Sequence, residues 1–203
     1  MNKMKHVFSV VVSVAMMVAM LFVVPVQAAG NYVAQLYGKI TDAGQVVNKV
    51  VIDYGDGVKV SGADKDTYTV HATNYVQIGV DKGKAYSDAD RTIEKVEVAG
   101  GKVTLHMNES EGATLTWLTE GRNYPGKLDY TITQNKALKA TAVDGKELDD
   151  ITGEITCDNT VIDEETAKFT SVKGSQGINY QFHEAKGADK LVVWFHGNGE
   201  GDL

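Results

Sequence analysis

The residues best suited to chemistry stand together near the end of the chain: His196, Gly197, Asn198, Gly199, Glu200 and Gly201. They follow Leu191, Val192, Val193, Trp194 and Phe195. An unbroken apolar run of this kind reads as a strand buried on both faces, as in a parallel sheet covered by helices. Acyl transfer builds negative charge on a carbonyl oxygen, and enzymes meet that charge with backbone N–H donors fixed in place beforehand. Backbone can approach a substrate closely only where side chains are small or absent. A glycine-rich loop leaving a buried strand therefore suits an oxyanion hole. The plainer alternative is a turn after a strand.

With its flanks, 191–201 resembles the oxyanion segment of secreted esterases in the prolyl oligopeptidase-like branch of the α/β-hydrolases. Those proteins carry an immunoglobulin-like domain ahead of the catalytic domain. Two further stretches are similar to that N-terminal domain: Asp64-Lys65-Asp66-Thr67-Tyr68-Thr69-Val70 and Leu128-Asp129-Tyr130-Thr131-Ile132-Thr133-Gln134. Asp202 departs from the family, which commonly continues with glycine, and His183 stands where an aromatic side chain is commoner. The resemblance implies a role for each loop residue. The amide of Asn198 is the oxyanion donor, with that of Gly199 second. Gly197 lets the strand leave sharply, and His196 holds the loop by hydrogen bonding. In that fold the triad follows the order Ser, Asp or Glu, His. Nucleophile, acid and base are therefore expected beyond Leu203. The chain is expected to be the N-terminal portion of a serine hydrolase, without turnover of its own. The implied substrate is a small ester or a peptide, handled by the missing catalytic domain, with no cofactor and no metal. The sandwich would be an accessory domain, with homo-oligomer contacts as one use.

Other candidates carry less. Ser175 lies in Lys173-Gly174-Ser175-Gln176-Gly177, where lysine replaces the first glycine of a nucleophile elbow and the position precedes the oxyanion strand, the wrong order. It reads as an interdomain turn. His71, His106 and His183 fall at outward positions of alternating segments, with no metal-ligand spacing. Asp53-Tyr54-Gly55-Asp56-Gly57 lacks the alternating oxygen ligands of a calcium loop and reads as a turn. Asp163, Glu164 and Glu165 read as a charged surface patch. Asn108-Glu109-Ser110 is a glycosylation sequon. Cys157, the single cysteine, excludes an internal disulfide and reads as a buried, inert thiol. Leu115, Trp117 and Trp194 read as core.

The N-terminus specifies export. Lys3 and Lys5 precede an apolar stretch over 7–24, then Pro25, Val26, Gln27, Ala28 and Ala29. Pro25 ends a helix, and Val26 with Ala28 supplies the small residues a signal peptidase reads. Residues 1–28 are expected to be a cleaved signal peptide, with a membrane anchor as the alternative, and the protein to be secreted. The chain carries 20 Lys+Arg against 27 Asp+Glu, and removing Lys3 and Lys5 makes it more acidic still. Such a balance argues against nucleic acid, whose phosphates need a basic surface.

Between these ends the apolar period is two. Tyr68-Thr69-Val70-His71-Ala72-Thr73, Val103-Thr104-Leu105-His106-Met107 and Leu128–Thr133 alternate, as half-buried antiparallel strands do. Further strands are expected at 32–40, 46–54, 93–98, 113–118, 151–157 and 168–172. Gly100-Gly101 marks a hairpin. Residues 81–91 and 143–150 read as long polar loops. Short strands at this spacing make the chain mainly β, an immunoglobulin-like β-sandwich over 30–174. Residues 178–203 then read as the truncated first strands of an α/β-hydrolase domain, opening with an antiparallel strand at 178–183. A free-standing secreted binding module without catalysis is the competing function, since fold alone does not settle it.

Overall fold

A computed structural model describes residues 32–42, 44–117, 123–142, 145 and 152–193. The main strands are β1 (Val33–Thr41), β2 (Gly44–Asp53), β3 (Lys59–Ser61), β4 (Tyr68–Tyr75), β5 (Ala85–Asp90), β6 (Ile93–Ala99) and β7 (Lys102–Met107). They continue with β8 (Leu115–Trp117), β9 (Asn123–Pro125), β10 (Tyr130–Gln134), β11 (Lys139–Thr141), β12 (Gly153–Asp163), β13 (Thr170–Lys173) and β14 (Asn179–Phe182). Eight strands form one hydrogen-bonded order, β5-β4-β10-β12-β1-β2-β7-β6. The order folds on itself at β12. The start of β12 pairs antiparallel with β10, Ile155 opposite Ile132. The rest pairs parallel with β1, from Thr156 opposite Val33 to Asp163 opposite Gly38. One strand thus serves both layers of an immunoglobulin-like sandwich.

Alternation explains the core. β4 turns Tyr68, Val70, Ala72 and Asn74 inward and leaves Thr69, His71, Thr73 and Tyr75 half-exposed. β7 buries Val103, Leu105 and Met107, and β10 buries Tyr130, Ile132 and Gln134. With Ala34, Leu36, Val50, Ile52 and Ile155 the apolar residues among them form one cluster drawn from both layers. Each such aliphatic side chain contributes about 1.5–3 kcal/mol by leaving water. In β2 the inward parity changes: Val50 and Ile52 are buried, and so is Val47. The cause is a bulge, because Tyr37 faces Lys49 while Gly38 faces Val47, leaving Asn48 as an extra residue.

Buried polar groups close one end of the core. The Tyr54 hydroxyl donates to Gln134 Oε1 at 2.5 Å and lies 2.9 Å from the Tyr68 hydroxyl. Gln134 Nε2 donates to Lys136 O at 3.0 Å. Gly100 has φ +61°, and with Ala99 paired to Lys102 it gives the two-residue turn expected between β6 and β7. Positive φ at the first central residue is the II′ arrangement, which matches the strand twist.

Two expectations need correction. The loop expected over 81–91 holds a strand, β5, paired antiparallel with β4. It escapes the alternation rule because it is an edge strand whose side chains are all exposed or half-exposed. Asp88 and Asp90 suit an edge, since charge there discourages pairing with another chain. The second correction concerns Leu191, Val192 and Val193. They lie outside any strand and are strongly exposed, Val192 by 88%. A doubly buried strand needs neighbours on both edges and both faces, and among the described residues none pairs with this one. The strand expected at 178–183 is present as β14, and its partner is β13. Among the described residues β13 pairs with no strand of the sandwich. The signal segment 1–28 and the 143–150 loop, apart from Gly145, lie outside the described residues.

Candidate functional site

His196, Gly197, Asn198 and Gly199, the residues expected to form the oxyanion loop, lie outside the described residues, as does Trp194. The described residues instead define a groove that composition alone does not show. It has a volume of about 1220 Å³ and lies between one end of the sandwich and the β13–β14 hairpin. Ile40, Leu115, Pro125, Leu128 and Val161 supply apolar surface, and Phe169 and Gln181 line it from the hairpin side. Leu115, expected in the core, is half-buried here.

The polar side of the groove arises from a second irregularity. In the β1–β12 pairing Gln35 faces Asp158 but Leu36 faces Val161, so Asn159 and Thr160 are extra residues in β12. The loop they form is braced at three points. Asn159 Oδ1 accepts the Tyr130 N–H at 2.8 Å, Asp158 Oδ1 accepts the Thr160 N–H at 2.9 Å, and Gln35 Nε2 donates to Thr160 O at 2.5 Å. Bulges re-aim side chains, and this one turns Asp158, Asn159 and Thr160 to the groove.

Gln45 is fixed from both sides. Its Nε2 donates to Asp163 Oδ2 at 2.8 Å and its Oε1 accepts the Thr114 hydroxyl at 2.9 Å. Asp163 is therefore no member of a solvated acidic patch: it is buried and also accepts the N–H groups of Glu165 and Thr166. Burial alone would raise its carboxyl, but the bonds from Gln45, Thr166 and Glu165 outweigh burial and hold it below the usual range.

The outward histidines face solvent, His71 and His106 half-exposed and His183 exposed, yet all three are engaged. His71 Nδ1 lies 2.8 Å from Asp90 and its Nε2 3.1 Å from Asp88. His106 Nε2 lies 2.9 Å from Glu97, whose carboxyl is brought down to about 2 by Lys95 first and His106 second. His183 Nδ1 lies 3.0 Å from Lys168 O, with its ring 5.5 Å from that of Phe169. Cys157, expected to be buried, is half-buried against the core, and burial pushes its thiol up to about 12, which disfavours the thiolate. Among the described residues no three His, Cys, Asp or Glu side chains are grouped to hold a metal ion.

Asp90 first, then Asp88, raise the His71 pKa above its ordinary value. A raised folded-state pKa means that stabilisation is full below the unfolded pKa and is lost as pH rises through the folded one. His71→Gln is therefore expected to lower Tm at about pH 5.5 and to leave it unchanged near pH 8.5. Thermal melts across that range measure it, and a pH-independent difference would remove the charge pairing as its cause.

The two-layer sheet and shared core make this an immunoglobulin-like β-sandwich module, and the comparisons agree. Residues 36–148 match the family described as the esterase Ig-like N-terminal domain. The chain belongs to that family. Among solved structures it resembles the "Crystal Structure of a Thermostable Esterase", with a TM-score of 0.55 and 21% identity over 77% of this chain. The chain spans 43% of that structure's length. No curated protein matches it.

Proposed function

We propose that this chain is the N-terminal portion of a secreted serine hydrolase, exported by a signal peptide over 1–28. The sandwich over 30–174 is its accessory domain, and 178–203 opens an α/β-hydrolase domain that cleaves a carboxylic ester or a peptide. The observation that carries this reading is membership of an esterase-associated family in a chain that also bears His196-Gly197-Asn198-Gly199-Glu200-Gly201. The backbone N–H groups of Asn198 and Gly199 would receive the oxyanion, with a serine, an acid and a histidine supplied after Leu203. The hairpin β13–β14 supports a second unit beginning near this point. Its outer face presents Ile178, Tyr180 and Phe182 to solvent, beyond what a lone ribbon needs.

The test uses the protein that joins this chain to its catalytic domain. The reading frame after Leu203 is expected to encode roughly 200 or more residues with a G-x-S-x-G segment, then Asp and His. In that protein Asn198→Pro, which deletes the N–H, is expected to lower kcat by about 10²–10³. Asn198→Ala keeps the N–H and is expected to retain activity. Equal kcat for the two variants would end the oxyanion assignment. Purified residues 29–203 are expected to turn over no ester.

The groove favours one other reading, a binding module that acts without catalysis. The two readings are compatible, because an accessory domain can hold a ligand of its own.

A further inference from the structure

We propose that the open edge of β6 pairs antiparallel with the β6 of a second copy of this chain, Lys95 of each copy opposite Glu97 of the other, in a weak, reversible two-fold dimer. The eight-strand order leaves two edges, β5 and β6. Among the described residues β6 pairs with β7 alone. β3 and the single 3-10 turn at Lys65–Thr67 approach it, but neither forms a ladder with it. Ladder bonds alternate along an antiparallel pair. Counted from the Ala99–Lys102 turn, Ala99, Glu97 and Lys95 bond toward β7, and Val98 and Val96 direct their N–H and C=O groups to the open edge. No backbone bond outside the ladder takes these groups up among the described residues. Such a row is a template for another strand, and Val98 beside it is 38% exposed.

Charge selects both the edge and the register. Charged side chains protect an edge when copies meet like to like. β5 follows that rule: its only charged side chains are Asp88 and Asp90, so self-pairing sets no acid against a base. β6 does not follow it. Lys95 and Glu97 stand two residues apart on one face, where Lys95 Nζ donates to Glu97 Oε1. Pairing that keeps each face on its own side opposes residues of like parity. Registers centred on Lys95 or on Glu97 set like charges against each other. The register centred on Val96 sets Lys95 opposite Glu97 twice, and it lets the two Val96 residues exchange their free N–H and C=O groups. A patch complementary to itself closes as a two-fold dimer. The irregularity at Glu94 ends the regular strand at Lys95, so the interface is small and its affinity low. The surface lies on the sandwich alone, so the pairing does not depend on the hydrolase reading.

The test is analytical ultracentrifugation of the exported chain up to about 1 mM, where a monomer–dimer equilibrium with Kd of about 0.05–1 mM is expected. Lys95→Glu and Glu97→Lys lie at exposed positions, so each variant keeps the fold. Each is expected to weaken the dimer about tenfold, because both cross-strand pairs become like-charged. An equimolar mixture of the two variants is expected to recover the affinity of the unaltered chain. Position 95 of one variant then meets position 97 of the other with opposite charge, at both places. Association through the apolar face of β14 would ignore these changes. An unaltered chain that stays monomeric, a dimer that both variants retain, or a mixture no tighter than its components would each overturn the proposal.

Discussion

Arg91→Met is expected to cost the sandwich about 3–5 kcal/mol, because several buried acceptors lose their donor at once. The guanidinium is nearly sealed, with 2% of the side chain exposed. Its Nη1 donates to the Tyr130 hydroxyl at 2.5 Å, and its Nη2 donates to Val47 O at 3.1 Å and Asn108 O at 2.9 Å. Glu111, at 3.8 Å from Nε, is its nearest carboxylate and is itself pinned by Thr92. This one side chain ties the connection after β5 to β2, to the end of β7 and to β10. A methionine fills the volume but donates to none of them. Gly112 gives an independent route to the same place. A Cβ there would lie 2.5 Å from Arg91 Nη2 and 2.6 Å from Val47 O, and the second of these is backbone. Gly112→Ala is therefore expected to cost about 2–3 kcal/mol by forcing the guanidinium out of its seat. Urea midpoints at unchanged m-value measure both. A loss under about 1 kcal/mol for Arg91→Met would show that water replaces the donor.

Truncating the core on either layer is expected to be as damaging. Ile132 on β10 and Leu105 on β7 are both fully buried and belong to one cluster. Each substitution to alanine removes several buried carbons and leaves a cavity, at about 2–5 kcal/mol. A domain of this size is stable by only about 5–15 kcal/mol, so either change takes a large share. Val98, on the outward side of β6, is expected to cost under about 0.5 kcal/mol when truncated. Because β12 joins the layers, both core variants should shift one cooperative transition, seen equally by circular dichroism and by fluorescence. Two separated transitions in either variant would mean that the layers fold independently.

The strands that build the core were readable because each buries one face. β4, β7 and β10 alternate without interruption, and the pattern needs nothing but period two to be recognised. What was hidden has physical reasons. β5 buries neither face, so its residues carry no apolar signal. Its pairing rests on backbone bonds to β4 and on Asp88 and Asp90 meeting His71. The bulge at Asn48 reverses the parity of β2 part-way, so no single phase describes that strand. Asp163 reads as surface among its acidic neighbours, and only the three-dimensional contact with Gln45 reveals its burial. The groove depends on residues far apart in the chain, Leu115, Asn159 and Phe169 among them, brought together by β12 and the hairpin. A local signal for it existed only in the Asn159-Thr160 insertion, which shows as a bulge once β1 is known to be its partner. The oxyanion loop is the reverse case, legible as a motif while its residues lie outside those described.

The parallel pairing of β1 with β12 also decides how the module bears load. β1 is entered at Val33 and β12 is left at Asp163, and these two points sit at opposite ends of the same ladder. Tension applied between the chain entering at Tyr32 and the chain leaving toward the hairpin therefore runs along the strands. The rungs between Val33 and Gly38 are sheared together, not peeled one after another. The two ends of the sandwich are gripped by the same set of bonds, and resistance to pulling is set by the rate of their collective rupture, not by the equilibrium stability of the fold. Whatever is attached at either end is held by a shear joint.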